Sequence, residues 1–404
     1  MKARVCCASV LVLCSLARAD VLTDWTDLAV QTALANKQAP FVQTRTLAMM
    51  HLAAFEAVNA IDRKYQPYRT ALPASPGASP EAAAAAGAHG VLVAIFPEQV
   101  AALDDALQKS LGAIPAGKGR DGGLALGKQA AAAVIALRSS DGFPPPNTYR
   151  PFTTAGVYVP TVLPAGFGWG KLTPWCIESG SQFRPGPPTA LQSAEWVRDF
   201  NEIKSAGGKT STARTAAQTE SARFWEQTGA LAYKDIIRSA LDPKAPLVKN
   251  ARLLALTSMA LADSYIAVFD AKYTYNLWRP VTAIRNADID GNDATALDPA
   301  WVPLIDTPVH PEYPCAHCIN VGAITAVIER EFGAHPPTLR STSVTLPGVT
   351  HSWKTPAELV EEVSNARVWG GVHYRSSTTV GAAKGRKIGT LVATTTLQPK
   401  EASR

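Results

Sequence analysis

LVKNARLLALTSMALADSYIAVFDAKYTYNLWRP, residues 247–280, is dense in Ala and Leu and lacks strand-like alternation, so the spacing predicts one long helix over 247–278. Near its end stand Lys272 and Arg279, seven residues apart, close to two α-helical turns, which predicts that both cations leave one face just before Pro280. The same Ala/Leu-rich periodicity predicts helices over 24–36, 42–61, 80–95, 97–111, 119–139, 191–206, 213–227, 229–241, 316–332, 355–369 and 377–396. The fold class is therefore all-α. Residues 140–188 break the pattern with Pro144-Pro145-Pro146, Phe167-Gly168-Trp169-Gly170 and Pro185-Gly186-Pro187-Pro188. Because this stretch carries Phe152, Tyr158, Trp169, Trp175 and Phe183, it reads as an ordered strap packed over the helices, not a free linker. The expected organisation is a signal over 1–19, N-terminal helices with the strap over 20–190, and a helical bundle over 191–404, the last two packed as one unit.

Two further stretches supply cations and imidazoles. Pro314-Cys315-Ala316-His317 precedes an expected helix start at Ala316-His317-Cys318-Ile319, where free backbone N–H groups favour a bound anion. Arg367 and His373 follow six residues apart. Guanidinium forks give directional paired bonds to phosphate-like oxygens, and an ammonium gives a mobile point charge, so Lys272, Arg279 and Arg367 suit a tetrahedral oxyanion.

Lys-x6-Arg-Pro, Pro-x-x-His and Arg-x5-His, in that order, resemble the type 2 phosphatidic acid phosphatase and vanadium haloperoxidase superfamily, and most of all its bacterial haloperoxidase-like branch. The likeness extends to Thr173-Pro174-Trp175, Gln182-Phe183-Arg184-Pro185, Arg214-Thr215-Ala216, Arg223-Phe224-Trp225 and His310-Pro311-Glu312-Tyr313-Pro314. It implies paired four-helix bundles with vanadate or phosphate held at one end. Carried over residue by residue, it implies that Lys272, Arg279 and Arg367, with Cys315 and Ala316 of the second motif, bind the oxyanion. His373 would attach to vanadium, and His317 would be the acid–base group. The implied reaction is oxidation of halide by hydrogen peroxide; hydrolysis of a phosphate ester through phosphohistidine, or oxyanion binding without catalysis, are the alternatives. His310, seven residues before His317, matches the histidine of algal bromoperoxidases, where fungal chloroperoxidases carry an aromatic residue, and implies bromide or iodide.

Four positions depart from the family pattern. Cys315 and Ala316 stand where Ser and Gly are usual; a thiol is a weaker donor than a hydroxyl, and pairing with Cys318 would remove it altogether. Ser377 replaces an Asp four residues after the ligand histidine, which implies looser orientation of His373. Ala366 precedes the motif arginine in place of Ser.

Residues 1–19 read as an export signal: Lys2 and Arg4, an apolar run from Val5 to Leu16, then Ala17-Arg18-Ala19. The expectation is a periplasmic or secreted protein, with no later run long and apolar enough to cross a bilayer. Three positive charges fall in that segment, so the formal +6 becomes about +3, which with no Lys/Arg-rich block gives no case for nucleic acid. Beyond the signal remain Cys176, Cys315 and Cys318, most simply one pair and one free thiol. Position 321 is Val where a cysteine phosphatase needs Arg, and Ile319 stands where haem attachment needs His. The run Asp288–Asp293 lacks the Gly and Glu of a calcium loop and reads as a solvated acidic turn. Ala82–Ala86 suits packing inside the chain or against a second copy, so a homo-oligomer is open.

Overall fold

The computed structural model describes residues 21–69 and 71–400, so the expected signal and its cysteines lie outside the described residues. Helices α1 (Val21–Ala35), α2 (Pro40–Asp62), α3 (Pro80–Ile95), α4 (Val100–Gly112) and α5 (Lys118–Arg138) precede the strap. After it come α6 (Ala194–Ala206), α7 (Ala216–Phe224), α8 (Lys234–Ser239), α9 (Leu247–Tyr275), α10 (Pro280–Arg285), α11 (Ala316–Phe332), α12 (Pro356–Trp369) and α13 (Arg375–Thr395). Among the described residues the protein is all-α as expected, apart from one unanticipated antiparallel hairpin of β1 (Leu339–Ser343) and β2 (Leu346–Trp353). Helix starts follow local chemistry: Pro40, Pro80 and Pro356 open three helices, and Thr215 with Gln218 forms a capping box on α7.

α9 is the central element, buried on nearly every side, as a helix apolar all round must be. By length and composition it could cross a membrane, contrary to the expectation of no such run, but 94% of its apolar window is buried inside the protein. One core runs from Leu22 of α1 through α2, α3 and α9 to Val392 of α13. α13 approaches α11 so closely that a Cβ on Gly385 would lie 2.0 Å from the Ile319 carbonyl oxygen, and one on Gly389 2.1 Å from that of Ala323. The spacing Gly381-x3-Gly385-x3-Gly389 is what lets the two backbones touch.

The strap packs down as expected for Tyr158, Trp169 and Trp175, which are buried, but Phe152 is 59% exposed. Its anchor is Asp263 of α9, fully buried, whose carboxylate accepts the backbone N–H groups of Trp175, Cys176 and Ile177 at 2.7, 2.7 and 3.1 Å. Burial raises its pKa to about 6 against the pull of those donors. In the run 288–293, Asp290 is buried and hydrogen-bonded to Thr295 and Trp196, so the solvated reading fails for that residue.

Candidate active site

α9 stops at Asn276, which takes the left-handed conformation with φ of 51°, and Arg279 caps the next short helix, α10. Lys272 and Arg279 therefore do not share a helix face. They converge because the chain turns at Asn276 and comes back, held by an antiparallel bridge of Val157 with Leu277 from the strap. Both side chains are buried, as are Arg367 on the last turn of α12, His373 between α12 and α13, and His317 on the first turn of α11.

Each cation is tethered by backbone oxygens and keeps donors in reserve. Lys272 Nζ donates to the carbonyls of Pro311 and Glu312, both at 2.8 Å, leaving its third hydrogen. Arg279 donates through Nε to His310 O at 2.9 Å and through Nη1 to Val372 O at 2.8 Å. Its Nη2 lies 2.9 Å from His310 Nδ1, a contact in which that nitrogen accepts, and the same nitrogen lies 3.1 Å from the Pro311 carbonyl, to which it could only donate. Arg367 Nη1 donates to Trp225 O, while its buried Nε has no hydrogen-bond partner among the described residues. Burial, foremost, lowers both guanidinium pKa values to about 10 and drives the Lys272 ammonium well below its usual range, with Arg279 adding repulsion.

His373 Nε2 faces Arg279 Nη1 at 3.4 Å, and its Nδ1 lies 2.7 Å from Oε1 of Glu312. Glu312 is fully buried, its Oε2 has no hydrogen-bond partner among the described residues, and burial raises its pKa to about 7 although Lys272 and Arg279 oppose this. The imidazole is kept neutral by burial and by the three cations. His317 Nε2 is 2.9 Å from the Gln227 carbonyl, which can only accept, so the proton is on Nε2 and the Nδ1 lone pair is free. Burial, then Arg367, keeps that ring neutral too. His310 is likewise neutral, edge-on to Phe269 at 5.4 Å between ring centres.

α11 begins at Ala316 as expected, and the Ala316 and His317 amides have no backbone acceptor among the described residues. Cys315 is disulfide-bonded to Cys318, and Cys176 is free. The disulfide leaves Cys315 no S–H to donate, although its Sγ still accepts the Cys318 N–H at 3.2 Å. Sequence reasoning gave no role to Glu312, although it lies in the family-like run His310-Pro311-Glu312-Tyr313-Pro314.

The donor set fits a tetrahedral oxyanion. Three buried cations face one buried carboxylate, an excess of positive charge that is costly away from water unless an anion joins it. The orphaned Arg367 Nε, the third Lys272 hydrogen and two free helix-start amides are unspent donors of the kind such an anion takes.

Comparison with known proteins finds likenesses to this arrangement. Residues 252–400 match the VCPO second helical-bundle domain, the segment that contains all three motifs. The resemblance to the vanadium haloperoxidase superfamily read from those motifs therefore holds. Among individual relatives, vanadium chloroperoxidase of Curvularia inaequalis is 25% identical over 198 residues, 41% of this chain; the match spans 32% of that protein's length. The crystal structure of the first bacterial vanadium-dependent iodoperoxidase superposes with a TM-score of 0.80 at 25% identity, covering 94% of this chain and 98% of that one. A holo-type bacterial vanadium-dependent chloroperoxidase shares the fold with a TM-score of 0.68 at 18% identity, over 88% and 91% of the two chains.

Proposed function

We propose that this protein is a vanadium-dependent haloperoxidase-type enzyme that oxidises halide with hydrogen peroxide. The observation that carries it is the excess of buried cations around a neutral His373 whose Nε2 lone pair is directed at Arg279 Nη1, 3.4 Å away. Vanadate, when bound, supplies a Lewis-acidic centre that takes up peroxide and makes it electrophilic toward halide. Lys272, Arg279 and Arg367 would hold its oxygens, with the Ala316 and His317 amides at the start of α11, and would stabilise negative charge as it develops. His373 Nε2 would be its ligand. His317 is built as a base: its Nδ1 can take a proton from hydrogen peroxide and return it to the departing oxygen, while Gln227 O holds the ring through Nε2. His310, bonded to Arg279 and packed on Phe269, stands at the position from which the resemblance implies a bromide or iodide preference, and the likeness to the iodoperoxidase structure supports that preference. The Cys315–Cys318 disulfide supports the export reading, since such bonds persist in oxidising compartments.

A neutral His373 with a carboxylate on Nδ1 would also suit attack on a phosphate ester, with His317 protonating the alkoxide. The test is monochlorodimedone halogenation by phosphate-free protein with orthovanadate, peroxide and bromide or iodide, beside nitrophenyl phosphate hydrolysis. Vanadate-dependent halogenation lost in His373→Ala is expected. Ester turnover without halogenation would establish the phosphatase, and silence in both would leave an oxyanion-binding protein.

A further inference from the structure

The family pattern places an orienting Asp where this chain has Ser377, and yet His373 is not left loose. We propose that Glu312 is the positioning residue of His373, accepting a hydrogen bond from Nδ1–H so that Nε2 keeps its lone pair on the side of Arg279 and the oxyanion-binding cations. This rests on the reading of the site as an oxyanion cradle.

The geometry is specific on both sides of the bond. Glu312 Oε1 receives His373 Nδ1–H at 2.7 Å and the Tyr374 backbone N–H at 3.1 Å. Glu312 itself cannot drift, because its N–H donates to Leu277 O at 2.9 Å and its own carbonyl accepts from Lys272. A single buried residue thus ties the ligand histidine to the lysine of the cradle. The opposite tautomer would set an Nε2 proton against Arg279 Nη1, 3.4 Å away, donor against donor, and leave the carboxylate without its imidazole partner. Ser377, at the Asp position, keeps a buried Oγ without a hydrogen-bond partner among the described residues and so does not orient the histidine.

The experiment is 15N NMR of histidine-labelled full-length protein, which distinguishes the tautomers, with calorimetric titration of orthovanadate and inorganic phosphate. Wild type is expected to carry the His373 proton on Nδ1. Glu312→Ala is expected to lose that preference and to weaken both anions about 10- to 100-fold, the usual cost of removing such a partner. Adding Ser377→Asp to Glu312→Ala is expected to restore much of both. A folded Glu312→Ala protein that keeps the Nδ1–H tautomer, or wild-type affinity, overturns the proposal. Should that variant not fold, Glu312→Gln decides: it keeps an acceptor but removes the charge, and unchanged anion affinity overturns the role. Wild type that shows the Nδ1–H tautomer but binds neither anion refutes the cradle reading while supporting the pairing.

Discussion

Replacing the disulfide by the double change Cys315→Ser, Cys318→Ala should make the protein less stable and its cradle tighter. The bond closes a loop of sequence separation 3, so chain entropy assigns it about 2 kcal/mol. Against this, Ser at the start of α11 can do two things that a disulfide sulfur does not do together. Its oxygen can accept the N–H of residue 318, as Cys315 Sγ does now at 3.2 Å, and its hydroxyl hydrogen remains to be donated. A hydrogen bond to a charged acceptor contributes about 1.5–3 kcal/mol, which predicts roughly a ten- to hundredfold gain in affinity for phosphate or vanadate. Denaturant unfolding under non-reducing conditions reads the first quantity and calorimetric anion titration the second. Anion affinity within about twofold of wild type would refute the reasoning, because it would mean that residue 315 does not face the anion.

Other outcomes follow from the fold. His51, buried between Thr26 and Ser258, has its pKa lowered to about 3 by burial, below the value of about 6.5 in the unfolded chain. Its contribution is present above pH 6.5 and is lost as pH falls toward 3, by up to about 5 kcal/mol; His51→Gln should flatten that part of a stability–pH curve measured by urea unfolding. Gly385→Ala should cost about 2 kcal/mol or more in the same assay, since its Cβ meets backbone at Ile319 and not a movable side chain. Asp263→Ala leaves three backbone donors at 175–177 without their acceptor; faster hydrogen exchange there is expected, with a loss of about 3 kcal/mol or more, and unchanged exchange would show that the strap is held elsewhere.

Long Ala- and Leu-rich periodicity determined the helical class, and most of its boundaries, because amphipathic or wholly apolar repeats leave few other ways to bury the chain. Motif order also carried the likeness to the superfamily, and the structure brings Lys272, Arg279, Arg367, His317 and His373 into one buried cluster. How they meet was not legible. Equal spacing suggested one helix face for Lys272 and Arg279, whereas a left-handed residue at Asn276 ends α9 between them. The hairpin 339–353 escaped notice because its burial alternates over only five residues in β1 and irregularly in β2. Ser377 pointed to a slack His373, yet the carboxylate arrives from Glu312, 61 residues earlier in the chain. Sequence by itself determined which charges and imidazoles this protein owns and which segments are helical, because composition and period are local properties. Only the tertiary structure decided which carboxylate meets which histidine, which nitrogen carries the proton, and how far burial moves each pKa, because those depend on contacts between residues that the chain holds far apart.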